Sequence, residues 1–198
     1  ITTLGKTVLV VVAATFIAWA IITAIFVPKR NPSFPRRLDA YILVSALLFD
    51  AGAVNRLGRV DDGTTVTDFD PDEIERKISL LAAPAFAEWK KAKVNVLDAP
   101  GYANFLSEAR AALRVADAAI VVVDAVAGVE VQTEKVWGYA EEYGLARMIV
   151  VNRMDRENAS FERALEKIQA AFGRAALPVA GPVGAEKALK GIVDLVSG

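Results

Sequence analysis

Two short stretches of this 198-residue chain carry side chains whose types and spacing could do chemistry. In Asp98-Ala99-Pro100-Gly101 a carboxylate is followed by a Pro-Gly pair that bends the backbone, so that the Gly101 amide can face an approaching phosphate oxygen. In Asn152-Arg153-Met154-Asp155 a side-chain amide and a carboxylate three residues apart could together read the edge of a heterocycle. Either pattern alone is equally well met by a structural turn. The composition narrows the options, because the chain has no cysteine and no histidine. Thiol nucleophiles, disulfides, cysteine metal sites and every histidine acid, base or ligand are thereby excluded.

Both stretches need strands that deliver them. From Asp50 onward short β-branched runs alternate with amphipathic helices, a pattern that predicts an α/β sheet covered on both faces. Candidate buried strands are 94–97, 119–123 and 148–151. Candidate helices are 102–115 (Phe105, Ala109, Ala112 and Ala116 on one face), 132–143 (Val136, Tyr139, Ala140, Tyr143) and 161–172 (Phe161, Leu165, Ile168, Phe172). Asp70-Pro71-Asp72-Glu73 opens a further short helix: an Asp cap, a Pro at the first helical position and an acid three residues after the cap. The segment 78–89, followed by Lys90-Lys91-Ala92-Lys93, predicts an added antiparallel strand with a polar turn. In an open α/β sheet a ligand lies beyond the carboxyl ends of the strands, where Asp98 and Asn152 stand.

The first part of the chain reads differently. Residues 1–49 carry a formal net charge of +4, against −5 for the remainder. Between Lys6 and Lys29 lie 22 uncharged residues, about the length that crosses a roughly 30 Å hydrocarbon core. Val8 to Val27 is therefore expected to span a lipid bilayer as a helix. The segment Pro28 to Arg37, with three prolines and four positive charges, predicts a cytoplasmic connection by the positive-inside rule. Residues 1–37 would then be a transmembrane helix with its basic loop, and 38–198 a cytoplasmic domain tethered to the inner face of the plasma membrane. Ala40 to Phe49 is too short to span and is expected to be interfacial or a core helix.

Asp98 and Asn152 are 54 residues apart, with a strand and two helices between them, and that order resembles the guanine-nucleotide-binding domain of translational GTPases. The resemblance is to elongation factor G, and within it to elongation-factor-G-like paralogues with Tyr after Asp-x-Pro-Gly. It runs from about Ala46 to Val196 and takes in Gly52-Ala53-Val54-Asn55-Arg56-Leu57-Gly58-Arg59-Val60, Thr65-Val66-Thr67-Asp68, Val126-Ala127-Gly128-Val129-Glu130 and Asn152-Arg153-Met154-Asp155-Arg156.

The resemblance implies a P-loop-NTPase-like, mostly parallel sheet with helices on both faces, GTP or GDP and Mg²⁺ as ligands, GTP hydrolysis as activity, and the ribosome as partner. Asp98 would hold Mg²⁺, with Ser79 at the place of the family's Mg²⁺-ligating switch threonine. Pro100 and Gly101 would lie against the γ-phosphate. Lys77 stands where the family pattern has a glycine. Asn152 and Asp155 would recognise guanine, and Arg153 replaces the lysine whose stem lies along the base. Tyr102 takes the place of the histidine that orients the attacking water. A phenol, with an ordinary pKa of about 10, is a poor substitute near neutrality, so hydrolysis is expected to be slow or to need a partner.

No Gly-x-x-x-x-Gly-Lys-Ser/Thr loop occurs in the 198 residues, although that loop supplies most of the phosphate grip. Gly5-Lys6-Thr7 is only a fragment of it. Three readings follow: an incomplete translation-factor-like GTPase domain, a membrane-tethered interaction module without catalysis, and a non-functional chimera.

Overall fold

The computed structural model describes residues 43–59 and 62–196. They fall into two compact units, one within Leu38–Val122 and Glu130–Val150, the other within Val123–Val129 and Val151–Gly198. The expected bilayer helix Val8 to Val27 and the Gly5-Lys6-Thr7 fragment lie outside the described residues. Among the described residues no helix is long and apolar enough to cross a membrane.

In the first unit the apolar run after Tyr41 becomes helix α1 (Leu43–Asp50), so of the two roles expected for it, the core helix is the observed one. Val44 and Leu48, the latter 2% exposed, pack with Ala87, and Ala51, Val54, Ala85 and Val96 close around them. Burying a leucine so completely stabilises by about 1.5–3 kcal/mol.

Helix α2 (Pro71–Arg76) starts as its sequence predicts. The Asp70 side chain accepts from the Asp72 amide, and the Glu73 side chain closes a capping box onto the Asp70 backbone. It ends at Lys77, which is left-handed at φ 56° and ψ 38°.

Strands β1 (Ala83–Trp89) and β2 (Ala92–Asp98) form the expected antiparallel pair, from Ala83 opposite Asp98 to Trp89 opposite Ala92. Their turn is Lys90-Lys91, both at positive φ (46° and 68°), the signature of a tight hairpin turn whose twist matches the strands. Strand β1 begins five residues later than the segment 78–89 predicted. The physical reason is that the amides of Leu80, Leu81 and Ala82 are taken by the carboxylates of Glu73 and Glu108 rather than by a ladder.

A 3₁₀ turn (Ala103–Phe105) leads into α3 (Leu106–Val115), so the helix proper starts later than Tyr102. Its buried residues are Leu106, Ala109 and Leu113: Ala109 is shared with the expected Phe105-Ala109-Ala112-Ala116 stripe, Phe105 falls in the 3₁₀ turn before the helix, and Leu113 is buried in place of the smaller Ala112. Helix α4 (Val131–Glu142) buries Ala140 completely, with Val136, Tyr139 and Tyr143 packed around the Leu113, Ala119 and Ala140 cluster, as its spacing predicted.

Strands β3 (Ala118–Asp124) and β4 (Ala146–Asn152) are hydrogen-bonded neighbours joined through α4, the crossover order expected of a βαβ unit. The burial expected on both faces is not seen. In β3, Ala119, Val121 and Val123 are buried while Ile120 and Val122 are 38% and 48% exposed, and β4 is half-buried throughout.

In the second unit α5 (Phe161–Phe172) has the predicted bounds, is capped by the Ser160 hydroxyl, and buries Ala164 and Ile168. Strands β5 (Ala180–Val183) and β6 (Gly191–Asp194) pair antiparallel.

The class is α/β, as expected. The single mostly parallel sheet is not assembled among the described residues, which form three two-stranded sheets, two of them antiparallel. A β-branched run reports that a strand is apolar, but not how many layers cover it.

Candidate functional site

In the first unit, strand β2 carries Asp98 at its carboxyl end, half-buried. Its Oδ2 accepts a hydrogen bond from the Thr67 hydroxyl at 2.5 Å. Burial pushes the Asp98 carboxyl above the usual carboxylate range. The Thr67 bond and the Ala99 amide pull the other way, while the charges of Asp68 and Glu73 add to the rise.

Asp68 is itself bracketed by hydroxyls. Ser79 Oγ donates to its Oδ1 at 2.7 Å and Thr65 Oγ1 to its Oδ2 at 3.2 Å. Glu73, 2% exposed, accepts from the amides of Leu80 at 2.8 Å and Leu81 at 3.1 Å through Oε1, and from Asp70 at 3.3 Å through Oε2. Ser79 and Asp98 are thus gathered into one knot of carboxylates and hydroxyls, in which Thr67, Asp68 and Glu73 are as central as the two predicted residues. Glu73 was legible only as a helix cap, and Thr67-Asp68 only as part of a family stretch. What they add is tertiary: each reaches a residue that a linear reading does not place beside it.

Pro100 is buried, whereas Gly101 is exposed and has no heavy atom within 4 Å of where a Cβ would sit. The space on its Cβ side is therefore open. Tyr102 is 58% exposed, and its carbonyl accepts from the Phe105 amide.

All donors in this knot are oxygens, the set that suits Mg²⁺, an ion bound through one or two carboxylates and substrate phosphates rather than by a full protein cage. Among the described residues no three carboxylates or other ligating side chains form such a cage. Asp98 and Ser79 supply oxygen donors of the kind Mg²⁺ takes, the ion that the resemblance implies.

In the second unit, Asn152 ends β4. Its side-chain Oδ1 accepts from the Arg153 amide at 2.8 Å, and its carbonyl from the Ala125 amide at 2.9 Å. Arg153 is left-handed, φ 60°. Its guanidinium donates to Asp124 Oδ2 at 3.2 Å, and Arg156 approaches the same oxygen at 3.8 Å. Asp124 Oδ1 accepts from the amides of Val126 at 2.8 Å and Ala127 at 3.0 Å. Burial works against the Asp124 charge, but the amides of Ala127 and Val126 and the Arg153 guanidinium outweigh it and hold the carboxyl below its usual range.

Asp155 sits half-buried in the turn after β4. No hydrogen bond or ion pair engages its carboxylate among the described residues. Asp124 was missed in the sequence although the same rule that singled out Asp98, a carboxylate at a strand's carboxyl end, applies to it.

These features can be set beside known proteins. Residues 42–194 match the family described as elongation factor Tu GTP binding domain. Elongation factor G of Mycoplasma pneumoniae is 42% identical over 169 residues, 84% of this chain and 25% of that protein. Elongation factor G 2 of Streptomyces coelicolor is 42% identical over 168 residues, 84% of this chain and 24% of that protein. Mitochondrial ribosome-releasing factor 2 of Culex quinquefasciatus is 43% identical over 152 residues, covering 77% and 20%. A crystal structure from Thermus thermophilus superposes with a TM-score of 0.72 at 39% identity, over 77% of this chain and 23% of that one. The chain spans about a quarter of the length of the curated relatives it matches. With a family match across more than three quarters of its residues, this chain belongs to the elongation factor Tu GTP-binding domain family.

Proposed function

We propose that this chain is the guanine-nucleotide-binding portion of an elongation-factor-G-like GTPase that works on the ribosome. The observation that carries the reading is Asp98, a carboxylate at the carboxyl end of β2 whose charge is opposed by burial and by Asp68 and Glu73. Such a carboxylate is stabilised as an anion once a divalent cation faces it. Mg²⁺, when bound, neutralises charge on the phosphate oxygens. Asp98 and Ser79 would hold it, and Gly101, whose Cβ side is open, would let the terminal phosphate come close to the backbone there.

Asp155, whose carboxylate is unengaged among the described residues, accepts from the guanine N1 and exocyclic amine, and the Asn152 amide holds the other edge. Tyr102, itself 58% exposed, can hold the attacking water by a hydrogen bond but is a poor substitute for an imidazole, so turnover is slow without the ribosome. With no P-loop in the 198 residues, phosphate grip is reduced, and affinity falls to the order of micromolar or weaker.

The test is titration of a fluorescent guanine nucleotide with and without Mg²⁺. Saturable binding that strengthens with Mg²⁺ and is abolished in Asp155→Ala supports the reading. Binding that is absent at millimolar concentration, or indifferent to Asp155→Ala, overturns it. The uncharged run Thr7 to Pro28 separately favours a bilayer tether, which vesicle flotation of the full chain would report.

A further inference from the structure

The loop after β3 is bolted to the Asn152-Arg153-Met154-Asp155 stretch by more contacts than a passing turn requires. Asp124 Oδ1 closes its own turn through the amides of Val126 and Ala127, and the Gly128 amide donates to the Asp124 carbonyl at 2.8 Å. Ala125 donates to the Asn152 carbonyl at 2.9 Å. From α5, Lys167 Nζ donates to the Ala127 carbonyl at 2.9 Å, and its stem passes so close to Gly128 that an added Cβ would lie 2.5 Å from Lys167 Cδ. The remaining oxygen of this anchored carboxylate, Oδ2, is the one that takes the Arg153 guanidinium.

Arg153 needs such a hold. It is a non-glycine residue in the left-handed region, and its long side chain would otherwise sample many rotamers. A guanidinium presents a planar fork of donors that a carboxylate can fix in direction, which a lysine ammonium does not.

We propose that Asp124 is a positioning residue: it fixes the Arg153 guanidinium where that side chain lies along the guanine base, so that Asp124 governs nucleotide affinity through Arg153 without touching the nucleotide. The inference rests on the guanine-nucleotide reading above and assigns the base side of that site a residue outside the Asn152 to Asp155 stretch.

The experiment is a double-mutant cycle on the full 198-residue chain, with GDP affinity from equilibrium titration and stability from thermal unfolding. Asp124→Asn keeps an Oδ1 acceptor for the Val126 and Ala127 amides and removes the charge that holds Arg153 at 3.2 Å and that Arg156 approaches at 3.8 Å. It is expected to weaken GDP binding about fivefold, the upper range for a partly exposed ion pair. On an Arg153→Gln background the same substitution is expected to cost no further affinity, because the residue it acts through is gone. Glu142→Gln, which removes the charge of Arg110's more exposed partner, leaves GDP affinity unchanged.

A merely structural Asp124 would weaken binding equally on both backgrounds, and that outcome overturns the inference. So does unchanged affinity in Asp124→Asn. Should Asp124→Asn not fold, Arg153→Lys in the intact loop takes its place: a loss of affinity supports the fork geometry, and parity with Arg refutes it. If the parent chain binds no GDP at all, the guanine-nucleotide reading fails first and this inference with it. Binding by the parent together with additive mutants rejects this inference alone.

Discussion

Replacing Glu73 with alanine removes one buried carboxylate that accepts three backbone amides, those of Leu80, Leu81 and Asp70. The bonds are unequal. Leu80 at 2.8 Å is half-buried and would lose its acceptor outright, at about 1–2 kcal/mol. Leu81 is exposed and can turn to water, so its 3.1 Å bond is worth only a few tenths of a kcal/mol, about the same as the 3.3 Å contact to Asp70. Against this, alanine relieves the repulsion that Glu73 exerts on Asp98. The expected net loss is about 2 kcal/mol, local to 78–82.

Amide hydrogen exchange at Leu80 and Leu81 measures it directly, since about 2 kcal/mol corresponds to roughly thirtyfold faster exchange through local opening. Glu73→Gln, which keeps one acceptor oxygen, should lie between, near about 1 kcal/mol. Exchange at Leu80 within about twofold of the parent in Glu73→Ala would refute the claim that this carboxylate, rather than the β1–β2 ladder, orders the segment bearing Ser79.

Asp98→Asn should move stability and function in opposite directions. A carboxyl whose folded pKa is raised contributes stability below its unfolded value that is lost as pH rises through the folded one, so the asparagine variant is expected to melt higher than the parent at neutral pH and to converge with it in acid. Its Mg²⁺ enhancement of nucleotide binding should vanish, and a melting temperature below the parent's near neutral pH would contradict the burial argument. Lys77→Gly is expected to stabilise by about 1 kcal/mol in denaturant unfolding, because Lys77 caps α2 in a left-handed conformation that glycine adopts without strain. No gain, or a loss, would mean that packing of the Lys77 side chain outweighs its backbone cost.

The positions that were legible in the sequence are those whose reasons are local. The Asp70-Pro71-Asp72-Glu73 cap and the 161–172 helix depend on residues a few positions apart and stand as read, while the polar turn, expected over 90–93, is confined to Lys90-Lys91, with Ala92 and Lys93 already in β2. Lys77 is instructive in the same way. A lysine where the family pattern has glycine still adopts the glycine-like conformation, so the turn is kept at a cost that the sequence alone did not reveal.

What could not be read is what the chain does with its long-range contacts. Nothing in the order of residues states that Thr67 meets Asp98 or that Arg153 meets Asp124, since these pairs are 31 and 29 residues apart. The expected doubly covered sheet failed for a related reason. Ile120 and Val122 satisfy a buried-strand pattern as well as Ala119 and Val121 do, and only the packing of α3 and α4 decides which set is inside.

The antiparallel ladder from Ala83–Asp98 to Trp89–Ala92 has a mechanical consequence. Side chains alternate between faces along a strand, so shifting the pairing by a single step would turn the Asp98 carboxylate toward the opposite side of the sheet. The hairpin bend at Lys90-Lys91, roughly 20 Å from Asp98 by strand rise, therefore works as an index pin for the acid at the far end. One residue inserted there would disarm Asp98 from a distance without replacing any residue that touches it.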